Sequence, residues 1–128
     1  MDAIVLIDHG SRRAEANEQL EALAREVRAR RPGALVETAH LEVVPPDLAA
    51  AIARCVAAGA ARIVVHPFFL APGRHTQEDL PRLVDAARAT HPGVAIALSA
   101  PLGLDARIVD TALARIDAAS SAPRADGE

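Results

Sequence analysis

Aromatic side chains are scarce in this chain of 128 residues. It has no tryptophan and no tyrosine, and its aromatic residues are Phe68 and Phe69. Proteins that bind single-stranded nucleic acid stack the bases on aromatic rings, so we expect no surface of that kind. The formal net charge of −3 also argues against a basic face that binds a polyanion. We therefore expect no nucleic-acid partner.

Cysteine and long apolar runs are scarce as well. Cys55 is the only cysteine, which excludes an internal disulfide and any four-thiolate zinc site or iron–sulfur cluster within one chain. No uncharged apolar run reaches the roughly 18 residues that a membrane-spanning helix needs. The amino terminus carries Asp2 and lacks the basic region and cleavage pattern of a signal peptide. We expect a soluble, cytoplasmic protein with no membrane partner.

Patterns typical of strands and helices alternate four times along the chain. The apolar runs at residues 3–7 and 63–70 are typical of strands that are covered on both faces. Residues 35–41 predict a more polar strand at an edge of the sheet, and residues 94–98 predict a fourth strand. Strands that alternate with helices favour a parallel sheet with right-handed crossovers. A sheet of four strands is small, so we expect a second copy of the chain to complete part of its surface.

The segments between these strands carry apolar residues at helical spacing. The predicted apolar stripes are Leu20, Leu23, Ala24 and Val27; Leu48, Ala51, Ile52 and Cys55; Leu80, Leu83, Val84 and Ala87; and Val109, Ala112, Leu113 and Ile116. We expect Pro81 to lie in the first turn of its helix, with Thr76 or Asp79 as the cap. Together, the strand and helix patterns predict one α/β domain over residues 1–119, followed by a disordered tail over residues 120–128.

Two turns contain a histidine at the point where a predicted strand ends. Residues 8–12 read Asp-His-Gly-Ser-Arg, and residues 71–75 read Ala-Pro-Gly-Arg-His. Such turns lie at the carboxyl ends of parallel strands, where α/β proteins bind ligands. His9 and His75 together could hold a transition metal with open coordination positions, or could move protons. Arg12, Arg13 and Arg74 beside them favour an anionic substrate, unless they are ordinary solvated arginines.

Other side chains near these turns have weaker claims to a role. Glu42 ends the second predicted strand and is either a third ligand or proton acceptor, or an ordinary acidic residue. His40 lies two residues earlier on the same strand face and is a rival candidate. His66 lies in an apolar strand and is expected to be a core histidine, and His91 ends a helix. These alternatives stay open from the sequence alone.

Several catalytic motifs are absent. The chain has no glycine-rich phosphate loop, no dinucleotide-binding fingerprint and no nucleophile elbow around a serine. His9-Gly10 is similar to part of the Arg-His-Gly motif of histidine phosphatases, but Asp8 stands where the phosphate-binding arginine would be. A phosphatase is therefore the weakest of the functional interpretations.

Taken in order, these motifs resemble those of the short, single-repeat sirohydrochlorin chelatases, which include cobaltochelatases and ferrochelatases. The resemblance spans residues 3 to about 116 and rests on residues 9–12, 41–42, Pro46, 67–70, 73–75, 79–81 and 101–103. It implies a chelatase-like three-layer α/β sandwich, with a four-stranded parallel sheet and helices on both faces. It also implies a homodimer, because the chain is half as long as two-repeat chelatases.

The resemblance also implies a reaction and a set of site residues. Enzymes of this kind insert a divalent metal into sirohydrochlorin, a tetrapyrrole with eight carboxylates, on the route to sirohaem or cobalamin. His9 and His75 would bind the metal, His9 would accept a pyrrole proton, and Glu42 would lie at the macrocycle. The substrate-binding set would also include Ser11, Arg12, Leu70, Ala71, Pro72, Gly73 and Arg74.

The metal is a substrate in this reaction, and no tightly bound cofactor is expected. Metallation removes two N–H protons from the ring, and neutral imidazole, whose ordinary pKa is about 6.5, serves both as a base and as a metal ligand. Imidazole suits Co²⁺, Fe²⁺ and Ni²⁺, so the sequence does not choose among them. The main alternative is a carrier of the same fold, which binds a tetrapyrrole or a metal without catalysing insertion.

Overall fold

The computed structural model describes residues 2–121. Four strands alternate with four helices, as the sequence predicts. The elements are β1 Asp2–Asp8, α1 Ala14–Arg30, β2 Leu35–His40, α2 Leu48–Ala57, β3 Arg62–Pro67, α3 Arg74–Thr90, β4 Ala95–Leu98 and α4 Ala106–Ser120.

The strands form one parallel sheet in the order β2-β1-β3-β4. In β1, Asp8 lies opposite His40 of β2, and Ile7 lies opposite Pro67 of β3. The polar strand β2 is at an edge, which confirms the prediction. The chain leaves β1 toward one edge and leaves β3 toward the other, so the order reverses between β1 and β3. In open α/β sheets, ligands bind in the crevice at such a reversal, outside the carboxyl ends of the strands.

Helices lie on both faces of the sheet, which confirms the predicted fold class. On one face, Ile52 of α2 and Val84 of α3 join the largest buried cluster with Val5, Ile7 and Ile63 of the strands. On the other face, α1 covers β2 and β1 through a smaller cluster of Leu6, Leu20, Ala24 and Val36. Removing these apolar surfaces from water is the main favourable contribution to folding.

The structure corrects the predicted end of the third strand. β3 ends at Pro67, whereas the apolar run predicts that it continues to Leu70. The backbone N–H of Phe68 donates to the carbonyl of Ile7 at 2.7 Å, and the N–H of Phe69 donates to the carbonyl of Pro67 at 3.1 Å. The second of these bonds turns the chain, so the apolar residues after Pro67 belong to the loop at the sheet edge.

The start of α3 also differs from the prediction. The helix begins at Arg74 after Gly73, its N-cap, so Arg74 and His75 belong to the first turn and not to the preceding loop. No side-chain hydrogen bond caps the helix, and both Thr76 and Asp79 lie within it. Pro81 lies inside the helix, beyond its first turn. A proline lacks the N–H that would donate four residues back, but this loss at one position does not break α3.

The last helix has no buried residue. Asp105 caps α4 by accepting a hydrogen bond from the N–H of Arg107 at 2.9 Å. The predicted apolar stripe is present but faces solvent, with Val109 46%, Leu113 51% and Ile116 57% exposed. Ser120, predicted to start the tail, is the last residue of α4, and residues 122–128 of that tail lie outside the described residues. None of the described helices is long and apolar enough to cross a membrane.

Candidate functional site

Backbone hydrogen bonds tie the loops together at the carboxyl ends of β1 and β2. The N–H of Leu41 donates to the carbonyl of Asp8 at 2.9 Å, and the N–H of Glu42 donates to the carbonyl of His9 at 3.1 Å. These bonds extend the pairing of β1 and β2 past the last residues of both strands. His9 and Glu42 are therefore held side by side by the main chain.

Gly10 is required for this close approach. Its φ is +87°, and a Cβ atom at this position would lie 2.0 Å from the carbonyl oxygen of Glu42. Only glycine adopts such a φ without steric cost, and no side chain fits at that distance. On the facing segment, Val43 directly follows Glu42 and has a φ of 75°. The N–H of Val44 donates to the carbonyl of Glu42 at 2.9 Å. Glu42 thus starts a tight three-residue turn against the glycine.

Asp8 organises the same turn through its side chain. One oxygen, Oδ1, lies 2.5 Å from Nδ1 of the buried His40 and accepts a hydrogen bond from the N–H of Gly10 at 3.0 Å. His40 is therefore engaged with Asp8, on the face of the sheet that α1 covers. His40, the rival candidate from the sequence, does not line the cavity that His9, Glu42 and His75 share.

His9, Glu42 and His75 line one cavity of about 590 Å³ at this edge of the sheet. His9 comes from the turn after β1, Glu42 from the segment after β2, and His75 from the first turn of α3. The three residues that the sequence nominates from distant positions are thus brought together. The cavity also lies at the reversal of strand order, where the topology favours a ligand site.

The imidazole ring of His9 stacks on the ring of Phe69. The ring centroids lie 4.9 Å apart, and the planes are inclined by 27°. Phe69 itself packs against the larger core cluster, so the stacking connects His9 to the interior of the domain. A side chain that is held in this way loses little further conformational entropy when it binds a ligand.

Sequence reasoning missed part of the wall that α3 contributes. Thr76, Asp79 and Arg82 line the cavity, together with Leu83 and Ala86. The spacing of His75, Asp79 and Arg82 at i, i+4 and i+7 places them on one helical face, which is a signal that the sequence contains. Leu83, which the apolar pattern assigns to the core, is 41% exposed and contributes to the cavity instead.

The remaining predicted binding residues lie around the cavity and not in its wall. Ser11 accepts a hydrogen bond from the N–H of Arg13 and faces a shallow depression on the other side of His9, beside Phe68. Arg12 and Arg74 are exposed. Leu70, Ala71, Pro72 and Gly73 form the loop that leads into α3.

No group of three or more His, Cys, Asp or Glu side chains among residues 2–121 is arranged to hold a metal ion. Glu42 therefore does not complete a three-residue metal centre with His9 and His75 in this conformation. His66 instead bonds Ser99 through Nδ1 at 2.8 Å, and burial lowers its pKa. His91 is the C-cap of α3.

The fold and the site define a parallel α/β protein with a cavity between the turn that carries His9 and the start of α3, which carries His75. The model of the CbiX family matches residues 3–119. The chain belongs to this family.

Curated relatives include both ferrochelatases and cobaltochelatases. The chain is 40% identical over 115 residues to "Sirohydrochlorin ferrochelatase, chloroplastic" of Arabidopsis thaliana. The aligned region covers 90% of this chain and 51% of the relative. It is 30% identical over 140 residues to a sirohydrochlorin cobaltochelatase of Methanococcus maripaludis, and this aligned region covers 90% of this chain and 97% of the relative. The chain thus spans about half the length of the first relative and nearly all of the second.

Solved structures similar to this chain include another CbiX protein and a sirohydrochlorin chelatase. The CbiX protein of Marinobacter aquaeolei VT8 has a TM-score of 0.78 at 31% identity, and the match covers 91% of this chain and 95% of that one. The sirohydrochlorin chelatase SirB of Bacillus subtilis subspecies spizizenii, in complex with cobalt, has a TM-score of 0.84 at 28% identity. This second match covers 91% of this chain and 50% of SirB.

Proposed function

We propose that the protein is a sirohydrochlorin chelatase that inserts a divalent metal ion into sirohydrochlorin. The observation that carries the proposal is the common cavity of His9, Glu42 and His75 at the reversal of strand order. The matches to named chelatases of similar length and of double length support the same substrate.

His9 and His75 are the residues that we propose to bind the incoming metal. Two imidazoles leave most coordination positions of the ion open to water and to the macrocycle, as a site that must deliver its metal requires. Three or four protein ligands would hold the ion more firmly and would oppose its release. The absence of a larger ligand group among the described residues agrees with a weak delivery site.

Proton removal is the second task of the site. Two ring N–H protons must leave as the metal enters the tetrapyrrole. We propose that His9 accepts one of them as the metal passes from its imidazole to the ring, and that the other passes to water. The imidazole of His9 is fixed by Phe69, and the main chain of His9 is joined to Glu42. Glu42 lies at the same cavity and provides a carboxylate that can stabilise the positive charge of the metal or of a protonated imidazole.

The macrocycle would be held by its carboxylates and by the loop that precedes α3. Arg82 lines the cavity, and Arg12 and Arg74 lie exposed near it. Guanidinium groups bind carboxylates in bidentate geometry. The first turn of α3 also presents backbone N–H groups beside His75, and the amino end of a helix attracts anions. Residues 70–74 would form the wall beside the ring.

Co²⁺ and Fe²⁺ are both proposed as substrates, since relatives of both kinds match the chain. The order of affinity of divalent ions for imidazole depends mainly on the ion, so these ligands do not choose the metal. With Co²⁺ the product is cobalt-sirohydrochlorin, on the route to cobalamin, and with Fe²⁺ it is sirohaem. We further propose a homodimer in the cytoplasm, because the chain spans half of SirB and contains one thiol.

The experiment is metal insertion by the purified protein, followed by absorbance under anaerobic conditions. Sirohydrochlorin is mixed with Co²⁺ or Fe²⁺, and the initial rate is compared with that of the protein-free reaction. The wild-type chain is expected to exceed the uncatalysed rate with at least one of the two ions. The double variant His9→Ala/His75→Ala is expected to lose this excess while still shifting the spectrum of the bound tetrapyrrole.

His91→Ala is the matched control because His91 lies at the far end of α3 and its hydrogen bonds are made by the backbone, which donates to the carbonyl of Ala87 and accepts from the N–H of Val94. This variant should insert metal at the wild-type rate. A double histidine variant with full wild-type activity would show that the two imidazoles do not carry the reaction. A wild-type protein that binds the tetrapyrrole without accelerating insertion would be a carrier.

A further inference from the structure

Two carboxylates line the cavity that we propose as the site of metal insertion, Glu42 and Asp79. Glu42 is joined to His9 by the main chain, and Asp79 has no role in the steps proposed above. An acidic side chain is unexpected in a site for a tetrapyrrole rich in carboxylates, because like charges repel each other across an interface. Asp79 therefore needs a favourable partner both before and after the macrocycle binds.

Before the macrocycle binds, the partner of Asp79 is Arg82. Oδ1 of Asp79 lies 3.4 Å from a terminal guanidinium nitrogen of Arg82, and the side chains are 53% and 72% exposed, respectively. An exposed ion pair of this kind contributes little to stability, and salt screens it further. A better partner for either side chain can therefore separate the pair.

His75 lies one helical turn before Asp79 and lines the same cavity. Residues four apart on a helix have Cβ atoms about 5–6 Å from each other, so an aspartate can reach the imidazole of a histidine at this spacing. In the part of the chain that the structure describes, the histidine side chains that make hydrogen bonds are those of His40 and His66. The imidazole of His75 is thus available to a new partner.

The chemistry of a metal-binding histidine favours a carboxylate as that partner. Such a histidine usually donates the N–H of its second ring nitrogen to a carboxylate or a carbonyl. This bond fixes the tautomer and the orientation of the ring and makes it a better ligand. Glu42 is tied to the His9 side of the cavity, whereas Asp79 shares α3 with His75. Asp79 is accordingly the carboxylate that is placed to serve His75.

The macrocycle provides the reason for Asp79 to leave Arg82. The guanidinium of Arg82 lines the cavity and can bind a carboxylate of the tetrapyrrole through two parallel hydrogen bonds. Such a bidentate contact competes with the single contact of 3.4 Å to Asp79. Repulsion between the arriving carboxylate and Asp79 favours the same exchange.

We propose that Asp79 is a positioning residue of the metal site, which exchanges Arg82 for His75 when the macrocycle binds. A carboxylate of the macrocycle takes Arg82, and the released Asp79 accepts the hydrogen bond from one ring N–H of His75. The other ring nitrogen is then held as a ligand for the metal. This inference rests on the proposed function, which makes His75 a metal ligand and Arg82 an anchor for the macrocycle. It couples the arrival of the macrocycle to the assembly of the metal site.

The test is a double-mutant cycle on Co²⁺ binding in the absence of any tetrapyrrole, followed by the visible absorption of bound Co²⁺. Asp79→Asn should weaken the binding by about tenfold or more, the usual cost of losing a carboxylate behind a metal ligand. Arg82→Gln should tighten the binding by up to about fivefold, because it releases Asp79 from a weak ion pair. In the Asp79→Asn background, Arg82→Gln should have no effect.

Two variants of α3 are matched controls. Glu78→Gln removes an acid that lies three residues after His75 but does not line the cavity. Asp85→Asn breaks an ion pair with Arg88 of the same sequence spacing, 2.8 Å long and away from the cavity. Both variants should bind Co²⁺ with the affinity of the wild-type protein.

Steady-state metal insertion gives a second readout, which separates the two partners. Asp79→Asn should lower kcat and leave the KM for sirohydrochlorin nearly unchanged, because the macrocycle keeps its anchor. Arg82→Gln should raise that KM. Both side chains are exposed, so neither change removes a contact of the core. A raised KM in Asp79→Asn, with kcat unchanged, would mean that Asp79 acts on the macrocycle and would overturn the proposal.

A purely electrostatic effect of Asp79 predicts different results in the cycle. The effects of Asp79→Asn and Arg82→Gln on Co²⁺ binding would then add, and Glu78→Gln would weaken the binding as well. Either result would overturn the proposal, and so would wild-type affinity in Asp79→Asn or a wild-type chain that binds no Co²⁺. The chelatase activity is read separately, from metal insertion by the wild-type protein. Its failure is therefore distinguishable from a failure of the exchange, which is measured without tetrapyrrole.

Discussion

The carboxylate of Asp8 joins His40 to the turn that carries His9. Its Oδ1 atom lies 2.5 Å from Nδ1 of His40 and accepts a hydrogen bond from the N–H of Gly10 at 3.0 Å. Asp8 is the last residue of β1, and His40 is the last residue of β2. One side chain therefore fixes the relation between two strand ends and the start of the proposed metal-binding turn.

Removing either partner of this pair should destabilise the protein and disturb the turn. Asp8→Ala removes a charged hydrogen-bond acceptor, and we expect the free energy of unfolding to fall by about 2–3 kcal/mol. His40→Ala should have an effect of about the same size, because it leaves a partly buried carboxylate unpaired. Urea unfolding of both single variants and of the double variant measures the coupling between them.

The double variant should cost less than the sum of the single variants, by about 1 kcal/mol or more. Additive effects would mean that the two side chains stabilise the fold independently. Metal insertion should fall in Asp8→Ala even at temperatures where the variant is fully folded, because the turn that presents His9 loses its anchor.

Gly10→Ala should be far more damaging than the same change at Gly59. Both glycines have a positive φ, +87° and +96°, so both substitutions strain the backbone. A Cβ at Gly59 would meet no atom within 4 Å, whereas a Cβ at Gly10 would overlap the carbonyl of Glu42. Left-handed backbone costs an alanine about 1–2 kcal/mol, and overpacking adds about 1–3 kcal/mol at Gly10 alone.

Thermal unfolding and metal insertion of the two variants separate these contributions. Gly59→Ala should lower the melting temperature modestly and retain its activity. Gly10→Ala should lower it further and lose activity, because His9 and Glu42 move apart. Equal melting temperatures for the two variants would contradict the close contact at Gly10.

Phe69→Leu should impair metal insertion more than Phe68→Leu does. Phe69 stacks on His9 and packs against the larger core cluster, while Phe68 packs against the smaller cluster under α1. A stacked pair contributes about 0.5–1.5 kcal/mol beyond burial, which corresponds to a two- to tenfold loss of kcat/KM if it orients His9. Steady-state kinetics of both folded variants test this, and equal losses would argue against an orienting role for the stacking.

Cys55 should be unreactive in the folded protein. Burial, with a smaller contribution from the nearby Glu37 carboxylate, raises the pKa of its thiol to about 11. At pH 8 only about one thiol in a thousand would then be ionised, and the thiolate is the reactive form. Alkylation by iodoacetamide should be very slow in buffer and rapid in urea. Rapid alkylation of the native chain would show that the α2 face opens on the time scale of the reaction.

His66 should make the protein less stable as the pH falls below neutrality. Burial lowers its pKa in the folded state, opposed by a hydrogen bond to the backbone at Ala100. Between the lowered pKa and the ordinary value of about 6.5, the unfolded chain binds a proton that the folded chain does not. Stability is therefore lost as pH falls through this window. His66→Gln should reduce the dependence of the urea midpoint on pH between 7.5 and 5.5, and an unchanged dependence would assign the effect to other groups.

The alternation of strands and helices was readable from the sequence because each element has its own periodicity. The first helix, Ala14–Arg30, contains the whole predicted stripe from Leu20 to Val27, and the polar β2 is at the edge. His9 and Glu42 could be nominated because both follow a strand directly. Residues at the carboxyl ends of parallel strands share one edge of the sheet whatever the details of packing. His75 was nominated from the turn after the third apolar run.

Other features depended on contacts between residues that are distant in the sequence. Only the tertiary structure pairs His40 with Asp8, and only the overlap with the Glu42 carbonyl explains why position 10 must be glycine. The start of α3 at Arg74 turns Asp79 and Arg82 toward the cavity. The apolar stripe of α4 reads as core from its period, yet it faces solvent, because periodicity reveals an apolar face but not the surface that will cover it.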